Sequence, residues 1–180
     1  SFQKDGNGWG EGFDPKLVKG PDIFCKVILD LKKLYDIFIL LTGPARGYVK
    51  RKLHENNIPF KHFYLKKYSE IPLYYNCIDY YFITSRAEGG PKSMMESFAS
   101  GVPLISTDVG MVHDYCKDGK NAMVCASEDV ECLVSKFKII NENENLKKKL
   151  IRVGLKTVEK LDWSVVIEKY YKSIYSKYFN

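Results

Sequence analysis

Short apolar runs alternate with amphipathic segments along most of the chain. Five of these runs are rich in β-branched and aromatic residues and are bounded by turn residues, which is typical of buried strands. They are DIFILLTG (36–43), KHFYL (61–65), DYYFITS (79–85), VPLIST (102–107) and NAMVC (121–125). Ser1 and Phe2 are interpreted as the end of a further strand.

Amphipathic segments separate these runs and predict helices. In the segment 21–35 a proline stands near the first turn, and one face carries Phe24, Val27, Ile28, Leu31 and Leu34. Further helices are predicted at 47–57, 69–76, 91–100, 128–137, 143–161 and from 163 onward. Strands and helices that alternate at this spacing form βαβ units with right-handed crossovers. The predicted fold class is therefore α/β, with a Rossmann-like parallel sheet flanked by helices.

The composition is that of one folded domain. With 180 residues, of which 45% are hydrophobic, the chain is long enough to bury a full core. We treat residues 1–180 as one domain, and because the chain begins at Ser1 without a methionine we expect it to be part of a longer protein. No apolar run approaches the roughly 18 to 20 residues needed to cross a bilayer.

The cysteines and the net charge narrow the class of protein. The five cysteines are odd in number and scattered, with no CxxC pair, so we interpret them as reduced thiols of a cytosolic protein. The formal net charge of +6 is compatible with a nucleic acid, an anionic lipid or a phosphorylated ligand, and also with lysine-rich helices that are merely solvated. The basic and aromatic segment KHFYLKKY (61–68) contains no RNA-binding motif, so we expect no nucleic-acid partner.

The most informative stretch is EGGPKSMMES (88–97), in which Glu88 and Glu96 stand eight positions apart. A predicted strand ends just before it, and a helix is predicted to start at about Pro91. Ligands of open α/β sheets lie outside the carboxyl ends of the strands. Gly89 and Gly90 allow the backbone to approach a ligand closely, and the start of the helix favours phosphate.

The helix after this turn has two faces. The core face holds Met94, Met95 and Phe98, and the opposite face holds Lys92, Ser93, Glu96, Ser97 and Ser100. Glu96 is therefore predicted to lie outside the core. From spacing alone, Lys92 and Glu96 are either an ordinary surface ion pair worth a few tenths of a kcal/mol or part of a ligand site.

The stretch SRAEGGPKSMMESFASGVPLISTDVG, followed by DGKNAMV, resembles the donor-binding half of the retaining GT-B glycosyltransferases of the glycosyl transferases group 1 family. In that family an E-x7-E motif, a GVP turn, a strand and a DVG turn follow one another in this order. The resemblance covers most of the chain from Lys19 onward. It implies that the fold is the C-terminal half of a GT-B fold.

The resemblance also implies roles for individual residues. Glu88 matches the glutamate that approaches hydroxyls of the transferred sugar, and Glu96 matches the one that accepts hydrogen bonds from the ribose hydroxyls. An ionised carboxylate suits both tasks, because it accepts short charge-assisted bonds from a diol. Lys19 matches the lysine that neutralises the diphosphate as negative charge grows on the leaving group. The loop whose amides meet the sugar and the distal phosphate corresponds to Gly89, Gly90, Pro91, Lys92 and Ser93.

This sequence departs from the family pattern in two places. Where the family more often has a bulky aromatic residue and a glycine, Gly90 and Pro91 stand here, which leaves the donor sugar open. The family usually has an arginine shortly before the position of Lys19, whereas this chain inserts KDGNGWGEGFDPK (4–16). The nearest cation there is Lys4, which is either a donor-binding residue or a solvated lysine.

Weaker candidates follow the second strand and the DVG turn. Gly43 and Pro44, with Arg46 close behind, either border the nucleotide or form a turn with a surface charge. His113 is interpreted as structural. The last helix carries Trp163 and several tyrosines, which either pack toward another domain or cover the sheet of this one.

The function implied by the resemblance is that of the donor domain of a retaining hexosyltransferase. The partners would be a nucleotide-diphosphate sugar, a glycan, lipid or protein acceptor, and an N-terminal GT-B domain outside this chain, without a metal or other cofactor. We expect a cytoplasmic protein, free or peripheral at the membrane face, and little transfer by this chain alone. The alternatives are a GT-B sugar-nucleotide epimerase, a non-catalytic nucleotide-sugar-binding module, and an α/β domain with an unrelated ligand.

Overall fold

The computed structural model describes residues 13–44, 46–65 and 67–178. Lys4 and the strand end predicted at Ser1 and Phe2 lie outside these residues. Within them, strands and α-helices alternate as far as residue 142, and two further α-helices follow. The strands are β1 (Ile39–Thr42), β2 (Phe60–Phe63), β3 (Tyr81–Ile83), β4 (Leu104–Thr107) and β5 (Met123–Cys125). The α-helices are α1 (Pro21–Lys32), α2 (Gly47–Glu55), α3 (Ile71–Tyr75), α4 (Lys92–Ala99), α5 (Met111–Tyr115), α6 (Val130–Glu142), α7 (Glu144–Glu159) and α8 (Trp163–Ser173).

All strand pairs between these elements are parallel. β1 pairs with β2, and β3, β4 and β5 form a second sheet with β4 in the middle. Every residue of β3 and β4 is buried, as expected for parallel strands covered on both faces. The five predicted strands are confirmed; each is shorter than its apolar run, and β2 begins at Phe60, one residue before its run.

The three-stranded sheet carries apolar side chains on both faces, and these alternate along each strand. In β3, Phe82 packs with α1 and α6 in one core cluster, whereas Tyr81 and Ile83 pack with α4 and α5 in the other. In β4, Ile105 and Leu104 divide in the same way, as the period of a strand requires. The fully buried aliphatic side chains of β4, Leu104 and Ile105, each contribute about 1.5 to 3 kcal/mol to folding. The predicted α/β class, a parallel sheet flanked by helices, is confirmed.

The helices differ from the sequence analysis at two points, Leu34 and α5, and they decide between the two interpretations of α8. Leu34 was predicted on the core face, but α1 ends at Lys32 and Leu34 is 57% exposed. The short helix α5 was not predicted, because it has five residues and begins after Gly110, whose φ is +50°. No residue of α8 is buried in the part of the chain that is described, so its aromatic side chains do not cover this domain's sheet. Among the described helices, none is long and apolar enough to cross a membrane.

The prediction that all cysteines are reduced is wrong for one pair. Cys125, at the end of β5, and Cys132, in the first turn of α6, form a disulfide. Their spacing of seven matches no common motif, and only the fold brings the two elements together. Cys116 has a free, buried thiol, and its burial raises the pKa to about 12.

A groove of about 500 Å³ opens between β1 and β3. Its walls include residues of both strands and of α1, such as Leu40, Phe82 and Ile28. Of the residues predicted for the donor site, none of those that the structure describes lines it. The groove is therefore separate from the loops described next.

Candidate active site

The candidate site lies at the carboxyl ends of β3, β4 and β5. The loops that follow these strands lie at 84–91, 108–110 and 126–129, and the first of them bonds to the turn that precedes α1. In parallel sheets this edge is where ligands bind, because loops and helix N-termini converge there. The fold thus places the most informative stretch of the sequence at this edge.

Lys19 and Glu88 form an ion pair at the centre of these loops. Lys19 ends a short 3-10 turn (Leu17–Lys19), and its Nζ lies 2.5 Å from Glu88 Oε2. The other carboxylate oxygen of Glu88 accepts a hydrogen bond of 2.9 Å from the Ser85 hydroxyl. The side chains of Lys19 and Glu88 are 29% and 16% exposed. The two residues predicted to carry the chemistry are therefore brought together, although they are far apart in the sequence.

A close backbone contact holds the Lys19 turn against β3. Gly20, directly after Lys19, has φ +62°, a left-handed conformation that favours glycine. A Cβ at this position would lie 1.8 Å from the carbonyl oxygen of Thr84. The Thr84 hydroxyl donates a 2.9 Å hydrogen bond to the carbonyl of Gly20. Only glycine fits here, and the contact fixes where Lys19 stands relative to the end of β3.

Arg86 is a residue of the site that the sequence analysis missed. It lies two residues before Glu88, and its guanidinium donates to both carboxylate oxygens of Asp22 at 2.8 and 2.7 Å. It also donates to Glu128 and to the carbonyl of Leu17. The hydrogen bond from Arg86 holds the pKa of Asp22 below its ordinary value, and the two carboxylates raise the pKa of Arg86.

The DVG turn packs directly on the loop that holds Glu88. The amide of Met111 donates a 3.0 Å hydrogen bond to the carbonyl of Gly89. A Cβ on Gly110 would lie 2.2 Å from the carbonyl oxygens of Glu88 and Gly89, and one on Gly90 would lie 2.6 Å from the Met111 sulfur. The side chain of Met111 thus fills the space beside Gly90, where the family more often has an aromatic residue.

Helix α4 begins at Lys92, one residue later than predicted. Pro91 precedes it in an extended conformation, with φ −69° and ψ 102°. The amides of the first helical turn, including those of Lys92 and Ser93, have no acceptor within the helix, and the helix dipole gives this end a positive potential. Ser97 was predicted on the outer face but is fully buried, and its hydroxyl is satisfied there by donating to the carbonyl of Val102 at 2.7 Å.

Glu96 is held by two tyrosines. The exposed Tyr68 donates to one carboxylate oxygen, and the buried Tyr75 donates to the other at 3.1 Å. No ion pair joins Lys92 to Glu96 in the described part of the chain, so the surface-pair interpretation is not supported. The hydrogen bond to Glu96 raises the pKa of Tyr68 to about 12, and burial raises that of Tyr75. Both phenols therefore stay protonated and keep donating to the carboxylate at neutral pH.

The loop after β1 is held by a contact to His62 of β2 and by a hydrogen bond within the loop. Gly43 has φ +81°, and its carbonyl lies 2.6 Å from His62 Nε2. Arg46 is only 3% exposed and donates to the carbonyl of Pro44 at 3.0 Å. The interpretation of Arg46 as a surface charge is therefore wrong, and the role of Gly43 beside a nucleotide stays a prediction.

The remaining polar side chains of this edge form no metal site. His113 Nδ1 lies 3.2 Å from Asp108 Oδ2, and both side chains are largely exposed. Within residues 13–44, 46–65 and 67–178, no group of three or more His, Cys, Asp or Glu side chains could hold a metal ion.

A family profile described as "Glycosyl transferases group 1" matches residues 15–157, which is most of the chain. The chain belongs to the glycosyl transferases group 1 family. A curated relative, the lipopolysaccharide core biosynthesis mannosyltransferase LpsB of Rhizobium meliloti, is 24% identical over 98 residues. The match covers 52% of this chain and 28% of that relative, so the matched segment spans less than a third of the relative's length.

Solved structures with the same fold include the C-terminal domain of a glycosyl transferase group 1 family protein, LpcC, from Francisella tularensis. It has a TM-score of 0.70 at 22% identity, and the match covers 81% of this chain and 80% of that one. Anabaena Alr3699/HepE in complex with UDP-glucose has a TM-score of 0.67 at 15% identity, with coverages of 86% and 46%. The predicted family and the C-terminal GT-B fold are confirmed. The roles of individual residues stay predictions.

Proposed function

We propose that the chain is the donor-binding domain of a retaining glycosyltransferase that uses a nucleoside-diphosphate hexose. The observation that carries this proposal is the ion pair of Lys19 with Glu88, formed beside the start of α4 at the carboxyl edge of the sheet. A cation, a carboxylate and free helix amides are the groups that a sugar diphosphate needs. The described loops bring all three within one small region.

Each part of the donor has a proposed partner. The diphosphate lies between the Lys19 ammonium and the first amides of α4, which both favour negative charge. The ribose hydroxyls donate to the carboxylate of Glu96, whose orientation Tyr75 fixes from the buried side. The hexose lies against Glu88 and Gly89, with Met111 beside it. Lys19 exchanges part of its contact with Glu88 for the phosphate oxygens when the donor binds.

The proposed reaction retains the configuration of the anomeric carbon. The bond between this carbon and the diphosphate oxygen breaks, and the diphosphate leaves with the electron pair. The acceptor hydroxyl forms the new bond on the same face and gives its proton to the leaving phosphate. Lys19 stabilises the charge that grows on the diphosphate, and such preorganised charge is often the largest contribution to a rate. No metal ion takes part in this proposal.

The acceptor side is proposed to come from the rest of a longer, cytoplasmic protein. The relative LpsB is much longer than this chain. Helix α8 carries aromatic side chains that are not buried against this domain. Trp163, Tyr170 and Tyr171 are 78%, 54% and 55% exposed. We propose that they pack against the acceptor-binding domain. The proposed hexose agrees with the mannosyltransferase activity in the name of LpsB and with the UDP-glucose bound to HepE.

Isothermal titration calorimetry of the 180-residue chain tests donor binding. We expect binding of at least one of UDP, GDP or ADP at low salt, with a dissociation constant between micromolar and millimolar. Lys19→Ala should lower the affinity for the diphosphate by about 10-fold or more, because a charge-assisted bond contributes about 1.5 to 3 kcal/mol. The affinity for the matching nucleoside, which lacks the phosphates, should hardly change.

Lys136→Ala is the control, since Lys136 forms a comparable ion pair with Asp118 at 2.6 Å outside the proposed site. Wild-type chain that binds no nucleotide, or that binds RNA tightly instead, would contradict the proposal.

A transfer assay that compares this chain with a longer natural chain tests the reaction itself. Epimerisation of the donor, or binding without transfer by either chain, would favour the alternative functions.

A further inference from the structure

Arg86 connects three separate loops of the candidate site. Its guanidinium forms a two-bond contact with Asp22, in the first turn of α1, and also donates to Glu128 in the loop between β5 and α6. The carbonyls of Leu17 and Val18 accept from its guanidinium and from its backbone amide, the latter at 2.9 Å. These two carbonyls belong to the turn that ends at Lys19.

We propose that Arg86 is a positioning residue for the diphosphate end of the donor site. It holds the turn with Lys19 against the loop with Glu88, so that the ammonium stands ready for the phosphates. This inference rests on the proposed function, because it concerns the affinity of the same site. Arg86 itself is not assigned a contact with the donor.

The charges around Arg86 support a role beyond folding. Its side chain is 27% exposed and lies between Asp22 and Glu128. Without the guanidinium, these two carboxylates would stand uncompensated beside the turn that carries Lys19. The loss of Arg86 would therefore release this turn and let the carboxylates attract the Lys19 ammonium away from the phosphates.

The loop between β5 and α6 places the carboxylate of Glu128 against Arg86. Glu128 has φ +71°, an uncommon left-handed conformation for a residue with a side chain. The Cys125–Cys132 disulfide brackets the loop on both sides. Such backbone strain persists where surrounding contacts over-determine it, and here these are the disulfide and the contacts to Arg86.

The test is a double-mutant cycle on the 180-residue chain, with uridine, UDP and UDP-glucose as the probes. If Arg86 acts through Lys19, Arg86→Ala should weaken UDP by about tenfold, and the double variant Lys19→Ala/Arg86→Ala should bind little more weakly than Lys19→Ala alone. Uridine affinity should change by less than about twofold, because uridine lacks the phosphates. Arg86→Lys should recover part of the loss, since it keeps the charge but not the two-bond fork.

Thermal melts separate this role from a general loss of folding. Lys136→Ala is the matched control and should leave all three affinities unchanged. If Arg86→Ala does not fold, Arg86→Lys and Asp22→Asn take its place, with the same expected selectivity for UDP over uridine. Wild-type affinity for UDP in these variants, equal losses for uridine and UDP, or losses that multiply with that of Lys19→Ala would overturn the inference. A wild-type chain that binds none of the probes would instead overturn the proposed function, and this inference with it.

Discussion

The close contact between Gly20 and Thr84 gives the sharpest prediction about this site. In Gly20→Ala the new Cβ would begin 1.8 Å from the carbonyl oxygen of Thr84, and real Cβ contacts essentially never fall below 3.0 Å. The turn and the end of β3 must therefore separate by about 1.2 Å, judged from these two distances. This shift would carry Lys19 away from Glu88, so UDP affinity should fall together with stability.

The magnitude follows from a matched control. Gly119 has φ +66°, close to the +62° of Gly20, but no atom lies within 4 Å of its hypothetical Cβ. Gly119→Ala should cost only the left-handed conformation, about 1 to 2 kcal/mol. Gly20→Ala should lose this conformational free energy and also the free energy of relieving the clash, which together lower the free energy of unfolding by more than about 4 kcal/mol. The entropy that alanine removes from the unfolded chain is common to both variants and cancels in the comparison.

Thermal unfolding followed by circular dichroism measures the difference. At about 2 to 4 °C per kcal/mol for a chain of this size, Gly119→Ala should lower Tm by about 2 to 8 °C and Gly20→Ala by more than about 8 °C. Equal Tm values for the two variants would refute the close contact. An unchanged UDP affinity in a destabilised Gly20→Ala would refute its link to the position of Lys19.

Further predictions concern the carboxylates and the disulfide. Glu96→Ala should lower the affinities for UDP and UDP-glucose alike, whereas Glu88→Ala should lower only the affinity for UDP-glucose. If calorimetry shows that both variants lose UDP affinity equally, the division of roles is contradicted. Because the pKa of Asp22 is lowered from 3.8, its contribution should be complete above about pH 4 and be lost as the pH falls through the folded pKa. Urea unfolding at several pH values should therefore show a gap between wild type and Asp22→Asn that closes only in acid, and a gap that is constant down to pH 2 would contradict it. Cys132→Ser should lower stability by about 2 to 3 kcal/mol in oxidising buffer and not in reducing buffer, with Cys77→Ser as the neutral control; no difference between the buffers would show that the disulfide does not form.

The sequence predicted the features that depend on local patterns. Apolar runs with turn residues at both ends identified the five strands of the described residues, because a buried parallel strand needs a continuous apolar stretch. The rule that loops at the carboxyl ends of strands carry the site then placed Glu88 at the correct edge. Lys19 was predicted from the family resemblance as the lysine that neutralises the diphosphate, and its ion pair with Glu88 was found only in the structure.

The features that the sequence did not predict depend on distant parts of the chain. Arg86 meets Asp22 across 64 positions, and Tyr75 and Tyr68 meet Glu96 across 21 and 28. No periodic pattern records such contacts, because they follow from the packing of loops after the sheet has formed. Leu34 shows the opposite error, since its helical spacing was correct but α1 ends before it. The end of a helix depends on where the chain must turn, which its apolar spacing alone does not reveal.

A crystal structure of the chain with UDP-glucose tests the central claim most directly. The account predicts ribose hydroxyls within hydrogen-bond distance of Glu96, the diphosphate between Lys19 and the start of α4, and the glucose against Glu88. It also predicts that the exposed Tyr68 gives up its contact with Glu96 to the ribose. A nucleotide bound elsewhere, for example in the groove between β1 and β3, with the Lys19–Glu88 pair untouched, would contradict the account.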